Sequence, residues 1–173
     1  TPVPEGGLGT FTDSGQILGN SNSHGLALGD LDADGDLDAF VANHQGTANT
    51  VWFNNGSGIF IDSGQNLGNS DSQHIALGDI DNDGDLDLFS CNESRCESEG
   101  EGGELLFPSQ LFRNNGAGTF VDVARQVGVE NLRYCKGSAW GDYDNDGYPD
   151  LYLSNFGEEN RLYHNNGDDT FSD

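Results

Sequence analysis

Apolar residues occur in runs of three to five, bounded by Gly, Asn and Asp, and such runs are too short for helices. Gly25-Leu-Ala-Leu-Gly29, Ala39-Phe-Val-Ala42, Thr50-Val-Trp-Phe53 and Ile59-Phe-Ile61 form the first series, and each reads as a short strand. Asn-Asn-Gly follows at Asn54–Gly56 and returns at Asn114–Gly116 and Asn165–Gly167. Asn and Gly tolerate the positive φ angles of hairpin turns, so these are predicted turns between adjacent strands. The one helix-like stretch is Val121–Val127, a turn or less.

The strand series belongs to a repeat. Gly-Thr-Phe11-Thr-Asp13-Ser-Gly-Gln recurs as Gly-Ile-Phe60-Ile-Asp62-Ser-Gly-Gln and as Gly-Thr-Phe120-Val-Asp122, and Asp-Thr-Phe171-Ser-Asp173 begins a fourth copy. The period is about 50 residues, which marks solenoids and propellers. Four short strands per unit predict an all-β chain of β-propeller blades, each of about four antiparallel strands. We read residues 1–173 as a single repeat domain with units near 11–59, 60–119 and 120–170. The second unit is longer by an acidic, Gly-rich segment, 93–109, expected to be a surface loop. Propellers close with roughly four to eight blades. Three units therefore imply either the remaining blades of a parent protein or copies that associate. A start at Thr-Pro-Val-Pro in place of Met reads as a processed or excised piece.

Each unit carries an Asp-rich loop after its first apolar run: Asp30–Asp38, Asp79–Asp87 and Asp142–Asp150. Counted from the leading Asp, positions 1, 3, 5 and 9 are Asp30, Asp32, Asp34 and Asp38 in the first loop. They are Asp79, Asp81, Asp83 and Asp87 in the second, and Asp142, Asp144, Asp146 and Asp150 in the third. Gly at position 6 permits a sharp bend, and position 7 (Asp36, Asp85, Tyr148) is expected to offer its backbone carbonyl. Carboxylates crowded this closely raise one another's pKa and call for a cation. Hard oxygen ligands select Ca²⁺ over softer metals, and the flexible loop suits calcium better than the tight octahedron of magnesium. About three calcium ions are the expected cofactors. These are not EF-hand loops, because position 12 is Val41, Ser90 or Leu153 in place of Glu.

Charge narrows the partners. Thirty acidic and 6 basic residues give a formal net charge of −24, which repels phosphate backbones and anionic lipid surfaces. Nucleic acid and membrane insertion are set aside, and no apolar run reaches transmembrane length. The most basic patch, Asn131–Lys136, reads as local neutralisation. Of three cysteines, Cys91 and Cys96 bracket a short polar stretch and are expected to pair, leaving Cys135 over. Such a bridge fits an oxidising compartment.

The Asp-x-Asp-x-Asp-Gly-x-x-Asp loop followed by an apolar strand resembles the FG-GAP/VCBS repeats of integrin α-subunit propellers and many bacterial secreted proteins. Phe120-Val-Asp-Val-Ala and Gly128-Val are similar to repeat openings in related CRTAC/ASPIC-type proteins. The resemblance implies calcium-binding blades of a roughly seven-bladed propeller, with the ion between the first two strands of each. It assigns the ligands to the loop residues named above. It also implies an extracellular, cell-surface or periplasmic address.

Three functions follow as expectations. The first is a noncatalytic scaffold or module binding a protein or glycan, with Trp52, Trp140, Tyr134 and His44 as candidate contacts. The second is a polysaccharide lyase or related carbohydrate-active enzyme. His24 and His74 read as equivalents in two units, which argues for a structural task, while His44 and His164 show no evident partner; no catalytic residue is assigned. The third is a self-assembling structural propeller unit.

Overall fold

A computed structural model of the chain describes residues 11–94 and 107–173. Three four-stranded antiparallel sheets follow one another, each a simple up-and-down meander. The first contains β1 (Ser23–Gly29), β2 (Asp38–Asn43), β3 (Asn49–Asn54) and β4 (Phe60–Leu67). The second contains β5 (Ser72–Gly78), β6 (Asp87–Asn92), β7 (Gln110–Asn114) and β8 (Phe120–Asp122). After a single helical turn, α1 (Ala124–Val127), the third contains β9 (Cys135–Gly141), β10 (Asp150–Asn155), β11 (Arg161–Asn165) and β12 (Phe171–Ser172). These are the predicted propeller-like blades.

The phase of the blades differs from that of the sequence units. The Phe-x-Asp segments that open the second and third units form the outermost strand of the sheet before them: Phe60 starts β4 and Phe120 starts β8. The glutamine ending this segment then reaches the next blade. Gln65 donates its side-chain amide to the Gly118 carbonyl at 2.7 Å and accepts from the Phe120 N–H at 3.3 Å. Gln16 does the same with Gly58 and Phe60. The predicted helix-like stretch Val121–Val127 is also divided. Val121 pairs with Arg113 as strand, and only Ala124–Val127 is helical, closed by Gly128 in the left-handed conformation at φ 91°.

Blades pack face to face through matching positions. Leu31, Phe40, Ala42 and Val51 of the first blade form one core with Leu88, Phe112 and Phe120 of the second. Ile80, Phe89, Cys91 and Leu111 of the second form another with Leu151, Leu153 and Tyr163 of the third, and α1 covers it through Ala124 and Val127. Trp140 sits in this second seam, edge-on to Phe89 at 6.3 Å, with its indole N–H on the Ala76 carbonyl. Glycine at the end of β1 and of β5 allows the approach: a Cβ at Gly78 would lie 2.9 Å from the Trp140 ring, and one at Gly29 2.8 Å from Leu86. In the third blade the positions matching Leu31, Phe40 and Val51 are Tyr143, Tyr152 and Leu162, which are 55%, 45% and 43% exposed. On the opposite side, Leu26 of β1 is 63% exposed, whereas its counterpart Ile75 is buried against the first blade.

The disulfide corrects a prediction. Cys91 bonds Cys135, not Cys96, and so ties β6 of the second blade to β9 of the third. Spacing along the chain favoured Cys96, but the inter-blade core brings Cys135 within a Cα–Cα distance of 5.3 Å. Cys96 lies outside the described residues, as does most of segment 93–109. Of the described ends of that segment, Glu93, Ser94 and Ser109 are buried: Glu93 makes a bridge with Tyr134, and Ser109 donates its N–H to the Asn131 carbonyl.

A bridge across 44 residues restricts the unfolded chain strongly. Cys135→Ser is expected to cost about 2–4 kcal/mol. Chemical denaturation of oxidised wild type and variant measures this loss, and peptide mapping should recover a Cys91–Cys135 crosslink.

Candidate metal centres

Each Asp-rich loop joins the two inner strands of a blade: β1 to β2, β5 to β6, and β9 to β10. The chain turns through a positive-φ residue at position 4, Ala33, Asn82 or Asn145, and a positive-φ glycine at position 6 with φ of 94–96°. Only glycine enters that second conformation without strain. The bend turns backbone N–H groups inward. In the first loop Asp34 N–H donates to Asp30 Oδ1 at 3.1 Å and Gly35 N–H to Asp30 Oδ2 at 3.0 Å. Asp79 and Asp142 receive the equivalent pairs.

Position 9 anchors the loop to the sheet. Asp38, Asp87 and Asp150 are each at most 1% exposed. Asp38 accepts N–H bonds from Leu31 and Asn54, both at 2.8 Å. Asp87 accepts from Ile80 and Asn114, and Asp150 from Tyr143 and Asn165. The asparagine then crosses to the previous blade. The Asn114 side chain donates to the Leu31 carbonyl and Asn165 to the Ile80 carbonyl, each at 2.8 Å. Neighbouring loops also touch directly, Asn82 donating to the Gly147 carbonyl at 3.0 Å.

Carboxylate oxygens of positions 1, 3 and 9 converge in all three loops. In Asp30/Asp32/Asp38, Asp79/Asp81/Asp87 and Asp142/Asp144/Asp150, one oxygen from each residue lies within 4.8 Å of the others. Asp34, Asp83 and Asp146 border these groups and hold the position-7 N–H. The position-7 side chains turn elsewhere, onto the Asn-Asn-Gly hairpin. A Cβ at Gly56 would meet Asp36, one at Gly116 Asp85, and one at Gly167 the Tyr148 ring. That leaves the side chains of Asp36, Asp85 and Tyr148 outside the cluster, in keeping with a backbone role.

The electrostatics favour a cation. Burial pushes Asp87 up to about 7, against the hydrogen bonds from Asn114 and Ile80 that favour its charge. Burial and then the charges of Asp38 and Asp34 raise Asp32, and burial and then Asp83 raise Asp81. Three converging oxygens of acidic character, held on a turn whose donors already point inward, fit a hard divalent cation.

The histidines stand differently from expectation. Strand register pairs Gly25 with Ala42 and His74 with Cys91, so His74 matches Gly25 and not His24. The same offset is visible in the sequence, where His24 lies six residues before Asp30 and His74 five before Asp79. His44 is buried, stacked on His24 at 4.4 Å, with Nε2 3.6 Å from Asp71 and 3.9 Å from Glu93. His164 adjoins the third loop, Nδ1 lying 3.2 Å from Asp150. Tyr134 carries Lys136 over its ring at 4.3 Å, and Trp52 donates its indole N–H to Thr50. The sequence marks Asn114 and Asn165 as turn residues, and the structure adds their reach to the previous blade. Their recurrence one residue before each Asn-Gly was the available signal for more.

Fold and loops together define a β-propeller-type repeat protein with an acidic cluster in each blade. The chain belongs to the FG-GAP-like repeat family, whose profile matches residues 30–90 and 108–153. It is similar to cartilage acidic protein 1 of Xenopus tropicalis, with 39% identity over 57 residues, covering 32% of this chain and 9% of that protein. The proteins of the same name from Mus musculus and Homo sapiens are each 40% identical over 57 residues, with the same coverage. The matched segment is thus a small part of these curated relatives.

Without a cation, Asp87 holds its proton to about pH 7 in the folded state, against 3.8 for an ordinary Asp. The folded form binds the extra proton between these values, so stability falls as pH rises through that window. Thermal melts of chelator-treated protein from pH 4 to 7 should show the decline, and Asp87→Asn should flatten it.

Proposed function

We propose that this chain is a calcium-stabilised, noncatalytic module of an extracellular β-propeller, serving as a scaffold or as a protein- or glycan-binding surface. The observation that carries the reading is the threefold recurrence of a buried position-9 carboxylate with two further carboxylates converging on it. Calcium suits it because positions 1, 3 and 9 offer only carboxylate oxygen and the turn is flexible enough for a large ion. Bound ions would add their binding energy to the folded state alone, making occupancy part of blade stability.

An oxidising, extracellular setting is supported by the Cys91–Cys135 bridge. Family membership points the same way. The apolar faces at Leu26 and Leu28 on one side, and at Tyr143, Tyr152 and Leu162 on the other, favour further blades of the same repeat type as partners. Those are the surfaces by which the described blades join one another.

Calorimetric titration of metal-stripped protein should give about three calcium equivalents. At free calcium of about one hundred times Kd, each site should add about 2.7 kcal/mol of stability, read as a rise in melting temperature. Failure of calcium to bind, with no change in melting, would defeat the reading.

A further inference from the structure

The three loops share their aspartates but differ in one neighbour. The residue just before the third-strand asparagine is Phe53, Arg113 or His164. Its side chain lies between its own blade's loop and, where a blade follows, that blade's outer hairpin. Phe53 occupies this place in the first blade: a Cβ at Gly118 would lie 2.5 Å from its ring and 3.2 Å from Asp32. Arg113 occupies it in the second, with Nε 3.4 Å from Asp81 Oδ2 and Nη2 2.8 Å from Asp169 Oδ1. Asp169 stands in the hairpin where Gly118 stands one blade earlier. In the third blade, His164 Nδ1 lies 3.2 Å from Asp150 Oδ1 and 3.5 Å from Asp144 Oδ2, with Nε2 4.0 Å from Asp146 Oδ2.

We propose that this position sets the cation preference of each loop, and that His164 makes the third a mixed nitrogen–oxygen site for a first-row divalent cation such as zinc. The inference rests on the loops being cation sites, as read above. An apolar ring beside the first loop adds no donor and leaves an all-oxygen site, which suits calcium. A guanidinium cannot ligate a metal. Placed on Asp81, it offers that carboxylate a fixed positive partner and competes with any ion for it. An imidazole nitrogen is a good zinc ligand, and zinc accepts His nitrogen with Asp oxygen at about 2.0–2.2 Å in a four-coordinate shell. Asp144, Asp146 and His164 each offer one ligand atom within 4.8 Å of the others, a group with no equivalent at the first two loops among the described residues. Asp150, oriented by the Tyr143 and Asn165 N–H groups, belongs with Asp142 and Asp144 to the adjoining group, which shares Asp144.

The test uses metal-stripped chain titrated separately with calcium and zinc, together with His164→Phe, Arg113→Phe and Phe53→His. Each variant installs a side chain that another loop already carries. Zinc should bind with an equivalent that His164→Phe removes while its calcium stoichiometry stays unchanged. On adding zinc to wild type, the His164 ring ¹⁵N resonance should move. Phe53→His should create a second zinc equivalent, and Arg113→Phe should tighten one calcium site by about tenfold. Arg113→Gln, which keeps a polar group for Asp169, should shift affinity in the same direction. Zinc binding unaltered in His164→Phe, or a His164 ring signal that does not respond, overturns the inference while leaving calcium-stabilised blades intact. Loss of all calcium binding in wild type would strike the earlier reading, and the histidine resonance would still decide this one.

Discussion

A carboxylate buried at the foot of each blade governs the rest of the structure. Asp38, Asp87 and Asp150 are removed from water and each accepts two backbone N–H groups, one from the loop and one from the third strand. A buried carboxylate without compensation is expensive, and two neutral donors offset only part of that cost. Asp87 displays the remainder as a pKa near 7. The loop is consequently welded to the sheet by a group that still favours positive charge. The converging oxygens at positions 1 and 3 complete a pocket in which such charge can sit.

The same anchor explains how one blade is joined to the next. By binding the N–H of Asn114 or Asn165, the aspartate fixes the asparagine whose side chain then reaches the loop carbonyl of the previous blade. A loop is therefore held from both sides, by its own sheet and by its neighbour's. At the outer edge, Gln16 and Gln65 perform a similar crossing between hairpins. Arg125 follows Phe120 where the glutamine would be, and the third hairpin meets Arg113 through Asp169 instead. Polar groups thus set the register between blades, while apolar positions such as Phe40 and Phe89 supply the buried area.

Much of this was legible in the chain itself, for a physical reason. Strand alternation, the Asn-Asn-Gly turns and the Asp spacing are local, and local chemistry decides them: β1, β2 and β3 lie where the short apolar runs placed them. Features requiring distance were not legible. The partner of Cys91 is set by the packing of the second blade on the third, which spacing along the chain cannot express. The ownership of Phe60 and Phe120 depends on sheet pairing, so a sequence unit that begins with them is a blade cut one strand out of phase. The inequivalence of His24 and His74, by contrast, can be counted in the chain, since they lie six and five residues before Asp30 and Asp79, and the pairing of Gly25 with Ala42 and of His74 with Cys91 agrees with that count. The role of the third-strand asparagine was hidden by its own turn propensity, which gave a sufficient reason for its presence.

The distribution of the few cations strengthens the case that the loops need an ion from outside. At the end of the blades away from the loops, acids are met by the protein's own groups. Lys136 pairs with Glu93, His44 lies beside Asp71 and Glu93, and Arg133 lies near Glu158 and Glu159. Arg161 is taken by Asp173. The loops hold almost half of the acidic residues, yet among the described residues only Arg113 and His164 approach them. The first loop has neither, and its neighbour is the ring of Phe53. Self-repulsion in that loop cannot be relieved from within the chain, because no basic side chain lies beside it among the described residues. A diffuse counterion atmosphere would not serve a carboxylate as deeply buried as Asp38, since screening acts mainly on exposed charge. Two remedies are then left, protonation, which burial already favours at the equivalent Asp87, and a directly bound cation, which alone would also let the neighbouring carboxylates keep their charge.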